Sequence, residues 1–468
     1  MRSIFCALVL LSTSIVWANV RLPAIISNNM VIQAGEKAAV WGHADPGEKV
    51  IVRIAGRNFS TITGPDGKWK IKLNALKPSS TPIAMAVAGK NTLCVRNILV
   101  GQIWLGSGQS NMQWSLKQLG DIYREIPQAS YPRLRLFETQ RNTADTPIED
   151  VNGVWTECSP ETVADFSAVA YYFGRELLKN IDQPVGMINC SWGGTRIQSW
   201  YSPAAAPTDK KPRSDKPYDQ FSAIYNGMIA PITPMTIKGV IWYQGESNAD
   251  FPCNYYSQFP LMIEDWRRSF AQPQMPFYFV QIANFDISKR TMWPTDSWAF
   301  IRDAQKSALA LPNTGMTVTI DIGEPDQIHP RNKLDVGRRL ALIALNKCYG
   351  FKDEYSGPMF KNIKIKDNTA RISFTHVDDG LSVDGATLQG FTAAGSDRKF
   401  FPASAELDSH NHKVLLTCPD VLKIESVRYA WSDNPETANL FNTAHLPASP
   451  FRTDKWPCHE EISRPNEK

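Results

Sequence analysis

Histidine is scarce in this sequence. There are 7 in 468 residues, and no two form an HExxH pair. The 8 cysteines include no CxxC. These absences remove the usual spacings of zinc ligands, and neither a metal nor a cofactor is expected. Only His410-x-His412 brings two histidines close, in a polar turn with no cysteine cluster beside it. Charge of one sign is also lacking: 50 Lys+Arg against 46 Asp+Glu leave a formal net charge of +4. No basic stripe concentrates that excess, which argues against a nucleic-acid partner. Beyond the first 18 residues, no stretch approaches the length of apolar chain that a membrane helix needs, so no membrane insertion is expected. Internal repeats and low-complexity tracts are missing as well.

What is present is an ordinary globular composition, 43% hydrophobic and 21% charged, with 14 Trp. The length predicts about three domains, each with enough chain to bury a core. The first 18 residues read as a signal peptide. Arg2 opens it, residues 4–16 are mostly apolar, and Val16-Trp17-Ala18 fits cleavage after Ala18. The mature chain is therefore expected to be exported, to a periplasm or to the outside. Removal of Cys6 with the leader leaves seven cysteines, so at least one is unpaired. Their pairing is not readable from spacing.

Three textures follow. Residues 19–98 carry short Val-, Ile- and Trp-rich runs (38–41, 49–54, 69–73), separated by turns such as Asp45-Pro46-Gly47 and Gly64-Pro65-Asp66-Gly67. This predicts an N-terminal β-sandwich-like domain. Residues 99–350 alternate apolar strand-like runs with helix-period stretches. The runs are 103–105, 134–137, 185–188, 239–243, 277–282 and 316–320; the stretches are 169–180, 255–270, 298–311 and 334–346. Strands buried on both faces and alternating with helices predict an α/β fold, a parallel sheet with helices on both faces. Ligands of such sheets sit where strand carboxyl ends feed loops. Residues 203–219, rich in Pro, Lys, Asp and Ser, read as a long exposed loop or lid. From 351 to 468 the β texture returns (363–365, 370–374, 414–416, 427–431) and predicts a C-terminal β domain.

Four loops at that sheet edge carry chemistry. Gly108-Gln109-Ser110-Asn111-Met112 follows the first α/β strand and puts a hydroxyl at a helix start. Free backbone N–H groups there favour negative charge. A serine so placed can attack a carbonyl or simply cap the helix. A serine nucleophile needs a base, and only one histidine of the α/β region is available: His329, in Asp321-Ile322-Gly323-Glu324-Pro325-Asp326-Gln327-Ile328-His329-Pro330. Asp326 can orient its ring, with Glu324 and Asp321 as alternative carboxylates. Trp192-Gly193-Gly194-Thr195 offers backbone N–H groups to an oxyanion. In Gln244-Gly245-Glu246-Ser247-Asn248, Gln244 or Asn248 can donate a side-chain amide, and Glu246 reads as a buttress.

In their order, these blocks resemble the SGNH (GDSL-like) esterases, and most closely the branch with sialate O-acetylesterases and some acetylxylan esterases. Leu22-Pro23-Ala24-Ile25 with Val40-Trp41-Gly42, and Val427-Arg428-Tyr429-Ala430-Trp431 with Leu446-Pro447-Ala448-Ser449-Pro450, extend the likeness over nearly the whole mature chain. The resemblance implies the flavodoxin-like SGNH-hydrolase sheet, with Ser110 as nucleophile, His329 as base and Asp326 as its orienting partner. It implies an oxyanion hole from the amides of Ser110 and of Gly193 or Gly194, plus a side-chain amide. The wider family has Gly-x-Asn-Asp in its third block; this chain has none, and Gln244 is the expected third donor. An O-acetylated sugar is the expected substrate, most readily an O-acetylated sialic acid, whose carboxylate Arg196 can pair, with Arg331 and Lys333 as rivals. Acetylated xylan or another polysaccharide is the second expectation. A non-catalytic carbohydrate-binding protein is the third.

Overall fold

The computed structural model describes residues 19–207, 215–288, 293–377, 379–408, 410 and 412–458. The expected leader (residues 1–18) lies outside the described residues, as do positions 208–214 of the expected lid.

The central sheet has seven strands: β1 (Thr92–Gly108), β2 (Tyr131–Glu138), β3 (Trp155–Cys158), β4 (Val185–Ser191), β5 (Gly239–Tyr243), β6 (Phe277–Val280) and β7 (Thr314–Thr317). Their order in space is β7-β6-β5-β1-β4-β2-β3. All neighbours are parallel except the edge pair β2 and β3. Ile103, Trp104 and Leu105 of β1, like every residue of β4, β5 and β6, are buried. Two covered faces explain why these strands read as continuous apolar runs.

Helices cover both faces. On one, α2 (Ala168–Asn180) packs against α5 (Lys333–Tyr349). Gly337 makes that approach possible, because a Cβ there would stand 2.6 Å from Cβ of Tyr172. Ser167 caps α2 by accepting from the Ala170 amide at 3.2 Å, and Asn332 caps α5 by accepting from the Asp335 amide at 3.0 Å. On the other face, α3 (Tyr255–Ser269) packs with α4 (Ser297–Ser307). Trp266 of α3 meets Trp242 of β5 edge-on at 5.6 Å, and Trp242 meets Trp200 at the same spacing.

The flanking regions are β-rich. Residues 31–88 supply six strands, of which Ser79–Ala88 pairs antiparallel with the first half of β1. Strand β1 is thus 17 residues long and runs unbroken through the expected domain boundary at 98–99. Residues 351–458 form two four-stranded antiparallel sheets and a two-stranded one. Their contact with the helices on the central sheet is specific. The buried Arg302 of α4 donates to the carbonyls of Ser432 and Asp433, both at 2.7 Å, and the Asp433 carboxylate accepts from the amides of Asp296 and Trp298.

One disulfide, Cys253–Cys458, ties the start of α3 to the C-terminal end across 205 residues of sequence. Cys94, Cys158, Cys190, Cys348 and Cys418 are free thiols. Closing so long a loop restricts the unfolded chain. The double variant Cys253→Ser/Cys458→Ser is expected to lose roughly 2–4 kcal/mol in chemical denaturation. An unchanged midpoint would mean that the flanking contacts already hold this end.

Candidate active site

Strand β1 lies at the centre of the sheet: the chain runs from it to β2 and β3 on one side, returns to β4 beside it, and then crosses to β5 on its other side. That is a topological switch point, where the loops of neighbouring strands diverge and leave a crevice. Register makes the crevice specific. Gly108, the last residue of β1, is level with Ser191 at the end of β4 and with Tyr243 at the end of β5. The loops are then sewn together, with the Gln109 amide on the Tyr243 carbonyl at 2.9 Å and the Trp192 amide on the Gly108 carbonyl at 3.0 Å. Gly108 has φ +133°, and a Cβ there would stand 2.2 Å from the Tyr243 oxygen. Only glycine fits.

Helix α1 is a single turn, Ser110–Gln113. Its cap position is Gln109, so Ser110 is the first helical residue and does not act as the cap. The hydroxyl is half-buried and has no hydrogen-bond partner among the described residues. Burial and hydrogen bonding therefore give this serine no structural duty.

Gly193 sits directly beside it: a Cβ on Gly193 would be 3.1 Å from Cβ of Ser110. The Gly193 amide donates to Oε1 of Gln113 at 2.7 Å, which locks the glycine loop onto α1. Gly194 adopts φ +75°, and its amide has no partner among the described residues. Of the two glycines, Gly194 keeps its amide uncommitted.

Two of the expected site residues have partners within the protein. Gln244 is fully buried, and its Nε2 donates to the Thr195 carbonyl at 3.2 Å and to Oδ1 of Asn248 at 2.7 Å. Both amide hydrogens are used within the protein, and Gln244 braces the glycine loop. Asn248 Nδ2 donates to Gln198 Oε1 at 3.1 Å. Arg196 is also spent. Its guanidinium bonds Asp219 at 2.6 Å and Asp250 at 2.8 Å. Two carboxylates already face that charge, so it anchors the end of the 203–219 segment, where Tyr218 also packs on Trp192 at 5.5 Å. A strand-end amide and a loop arginine look alike in sequence whether they face a pocket or a neighbour.

His329 lies in the loop after β7, just ahead of α5. Its ring stacks on Trp114 at 5.0 Å. Burial, helped by the nearby Lys333 ammonium, pushes its pKa down to about 4. The ring is therefore neutral near pH 7, as a general base must be. Of the three carboxylates in the loop, Asp321 is held by Arg339 at 2.5 and 2.7 Å and Glu324 accepts from the Arg331 amide at 2.7 Å. Asp326 stands in an exposed turn three residues before His329.

A buried polar network joins the serine and histidine loops. Nδ2 of Asn111, the residue after Ser110, donates to Oε1 of Glu246 at 2.5 Å and to the Ile328 carbonyl, next to His329, at 3.0 Å. Its Oδ1 accepts from Nζ of Lys333 at 2.5 Å. Asn111, Glu246 and Lys333 are all buried. The expected buttress role of Glu246 has a partner in Asn111. Asn111 and the burial of Lys333 were not legible in the sequence, and a lysine at 0% exposure cannot reach a substrate carboxylate. The spacing His329-x-x-x-Lys333 at a helix start was the one available hint. Among the described residues, no group of three or more His, Cys, Asp or Glu is placed to hold a metal, and no helix is long and apolar enough to cross a membrane.

Comparison with known proteins adds three findings. Residues 100–346 match the family model described as carbohydrate esterase, sialic acid-specific acetylesterase. The chain is 32% identical to the sialate O-acetylesterase of Pongo abelii and 31% identical to that of Homo sapiens, with 94% of each chain covered in both cases. A crystal structure of a carbohydrate acetylesterase from Xanthomonas citri superposes with a TM-score of 0.87 at 37% identity, over 94% of this chain and 100% of that one.

Proposed function

This chain belongs to the sialic acid-specific acetylesterase family of carbohydrate esterases, and from that premise we propose that it is a serine esterase that removes O-acetyl groups from sialic acids. The observation that carries the reading is the placement of Ser110. It sits at the switch point of the sheet, with an uncommitted hydroxyl, beside Gly193 and next to the network that ends at the His329 loop.

In the proposed mechanism, Nε2 or Nδ1 of neutral His329 takes the Ser110 proton as Oγ attacks the acetyl carbonyl. Negative charge collects on the carbonyl oxygen, facing the backbone N–H groups of Ser110 and Gly194, with that of Gly193 joining if Gln113 turns away. The imidazolium then protonates the leaving sugar oxygen. Water, activated by the same ring, releases acetate from the acetyl-serine. Asp326, three residues before His329 in the same loop, is the carboxylate proposed to orient its ring. The acyl group is small, so discrimination falls to the sugar side of the pocket. Residues 1–18 are read as a leader and the mature chain as exported, to which the Cys253–Cys458 disulfide lends support.

The test is acetate release by the purified mature protein from O-acetylated sialic acid and, in parallel, from acetylated xylan. Release from the sialic acid at a rate at least tenfold above xylan is expected. Release from xylan alone would keep the chemistry and overturn the substrate. Release from neither would favour a carbohydrate-binding protein without catalysis.

A further inference from the structure

Lys333 is the first residue of α5 and is completely buried, yet the proposed mechanism gives it no proton to carry. An ammonium without solvent is costly unless the fold repays it. What surrounds it is specific. Its Nζ donates to Asn111 Oδ1 at 2.5 Å, stands 5.4 Å from the Tyr243 ring centroid and stands 6.0 Å from that of Trp114, the same indole on which His329 stacks. Glu246, whose carboxyl burial pushes up, lies on the other side of the Asn111 amide, with Oε1 on Nδ2. One buried amide is thus held between a lysine and a glutamate. That amide also fixes the Ile328 carbonyl and belongs to the residue after Ser110.

We propose that Lys333 is a positioning residue of the esterase site: through Asn111 it holds the serine turn and the His329 loop in register, and its ammonium acts electrostatically on the imidazole that shares the Trp114 indole. This rests on His329 being the base. The geometry separates the two effects. The hydrogen bond to Asn111 needs only a donor, whereas the effect on the ring needs a positive charge. The groups that face Lys333 are Glu246, Glu324, Tyr243, Trp114 and Asn111, and the charge that bears on His329 is Lys333 itself. Burial drives the lysine down to about 7, with the two glutamates opposing the fall. Below that pH the charge is present, and this is the range in which protonation of His329 has to be resisted.

The test reads His329 directly. Its ring resonances, assigned by their loss in His329→Ala, are followed by NMR as pH is lowered from 8 to 3.5. The acid limb of kcat/KM for p-nitrophenyl acetate is measured on the same proteins. Lys333→Gln keeps a donor and drops the charge. It is expected to move the His329 titration and the acid limb to higher pH by about one unit, with kcat on the plateau changed less than about fivefold. Lys333→Arg should titrate as the wild type does. Lys333→Met loses both donor and charge, and its plateau kcat should fall roughly 10- to 10²-fold. Should Lys333→Gln fail to fold, Lys333→Met/Glu246→Gln removes both buried titratable groups together and carries the same expectation for the ring. A folded Lys333→Gln whose His329 titrates with the wild type overturns the inference. A ring that shifts while the acid limb stays would uphold the charge effect and overturn His329 as the base.

Discussion

Ser110→Ala is expected to lower kcat/KM for acetyl-ester hydrolysis by about 10³-fold or more and to leave the fold intact. Both halves come from the same geometry. The Ser110 hydroxyl bonds to nothing among the described residues, and the cap position of α1 is Gln109, so deleting Oγ breaks no structural hydrogen bond. The backbone amides of the turn and of the glycine loop remain in place, and they explain why some residual hydrolysis should persist above the uncatalysed rate. Thermal melting within a degree or two of the wild type, together with the activity loss, is the expected pair of results. A Ser110→Ala protein with unchanged turnover would remove this serine from the mechanism. A protein that melts well below the wild type would instead assign it a structural role that burial and hydrogen bonding do not show.

The features that place Ser110 were readable because they are properties of short, local sequence. Runs such as 185–188 and 239–243 are buried on both faces, so their apolar content survives without alternation, and β5 falls on the predicted residues 239–243. The edge strand Trp155–Cys158 carries no such signal. It is four residues long, with polar Thr156 and Glu157 between Trp and Cys, and it exists only because β2 offers an open antiparallel edge. The texture of the sequence changes at 98–99, and strand β1 spans that point. The site divides the same way. Ser110, Gly193, Gly194 and His329 stand beyond strand ends, in short motifs whose residue types are visible in the sequence. The duties of Gln244 and Arg196 depend on whether a neighbour 49 residues away, Thr195, or 23 away, Asp219, arrives first to take the donor. Lys333 meets Asn111 across 222 residues, a contact that no local pattern encodes.

His329→Ala should be nearly as damaging as the loss of the serine, about 10³-fold in kcat/KM, whereas Asp326→Asn should cost less, roughly 10- to 10²-fold. The ring carries the proton in both halves of the proposed reaction, and it is the only histidine in the α/β region. Burial and Lys333 hold it unprotonated down to about pH 4, so the wild-type rate should fall only as pH drops toward that value, later than an ordinary histidine near 6.5 would dictate. Asp326 differs in its surroundings. Its turn is exposed, and a carboxylate in contact with water is screened, so the stabilisation it can give the imidazolium is smaller than that of a buried partner. The aromatic stack on Trp114 and the Ile328 carbonyl held by Asn111 position the ring independently of that carboxylate. Asp326→Asn should therefore lose charge stabilisation but keep much of the orientation. Steady-state kinetics of the two variants decide the matter: equal losses would mean that Asp326 is as indispensable as the base and that its turn closes over the ring when substrate binds. A loss confined to His329→Ala would assign the orienting work to Trp114 and Asn111.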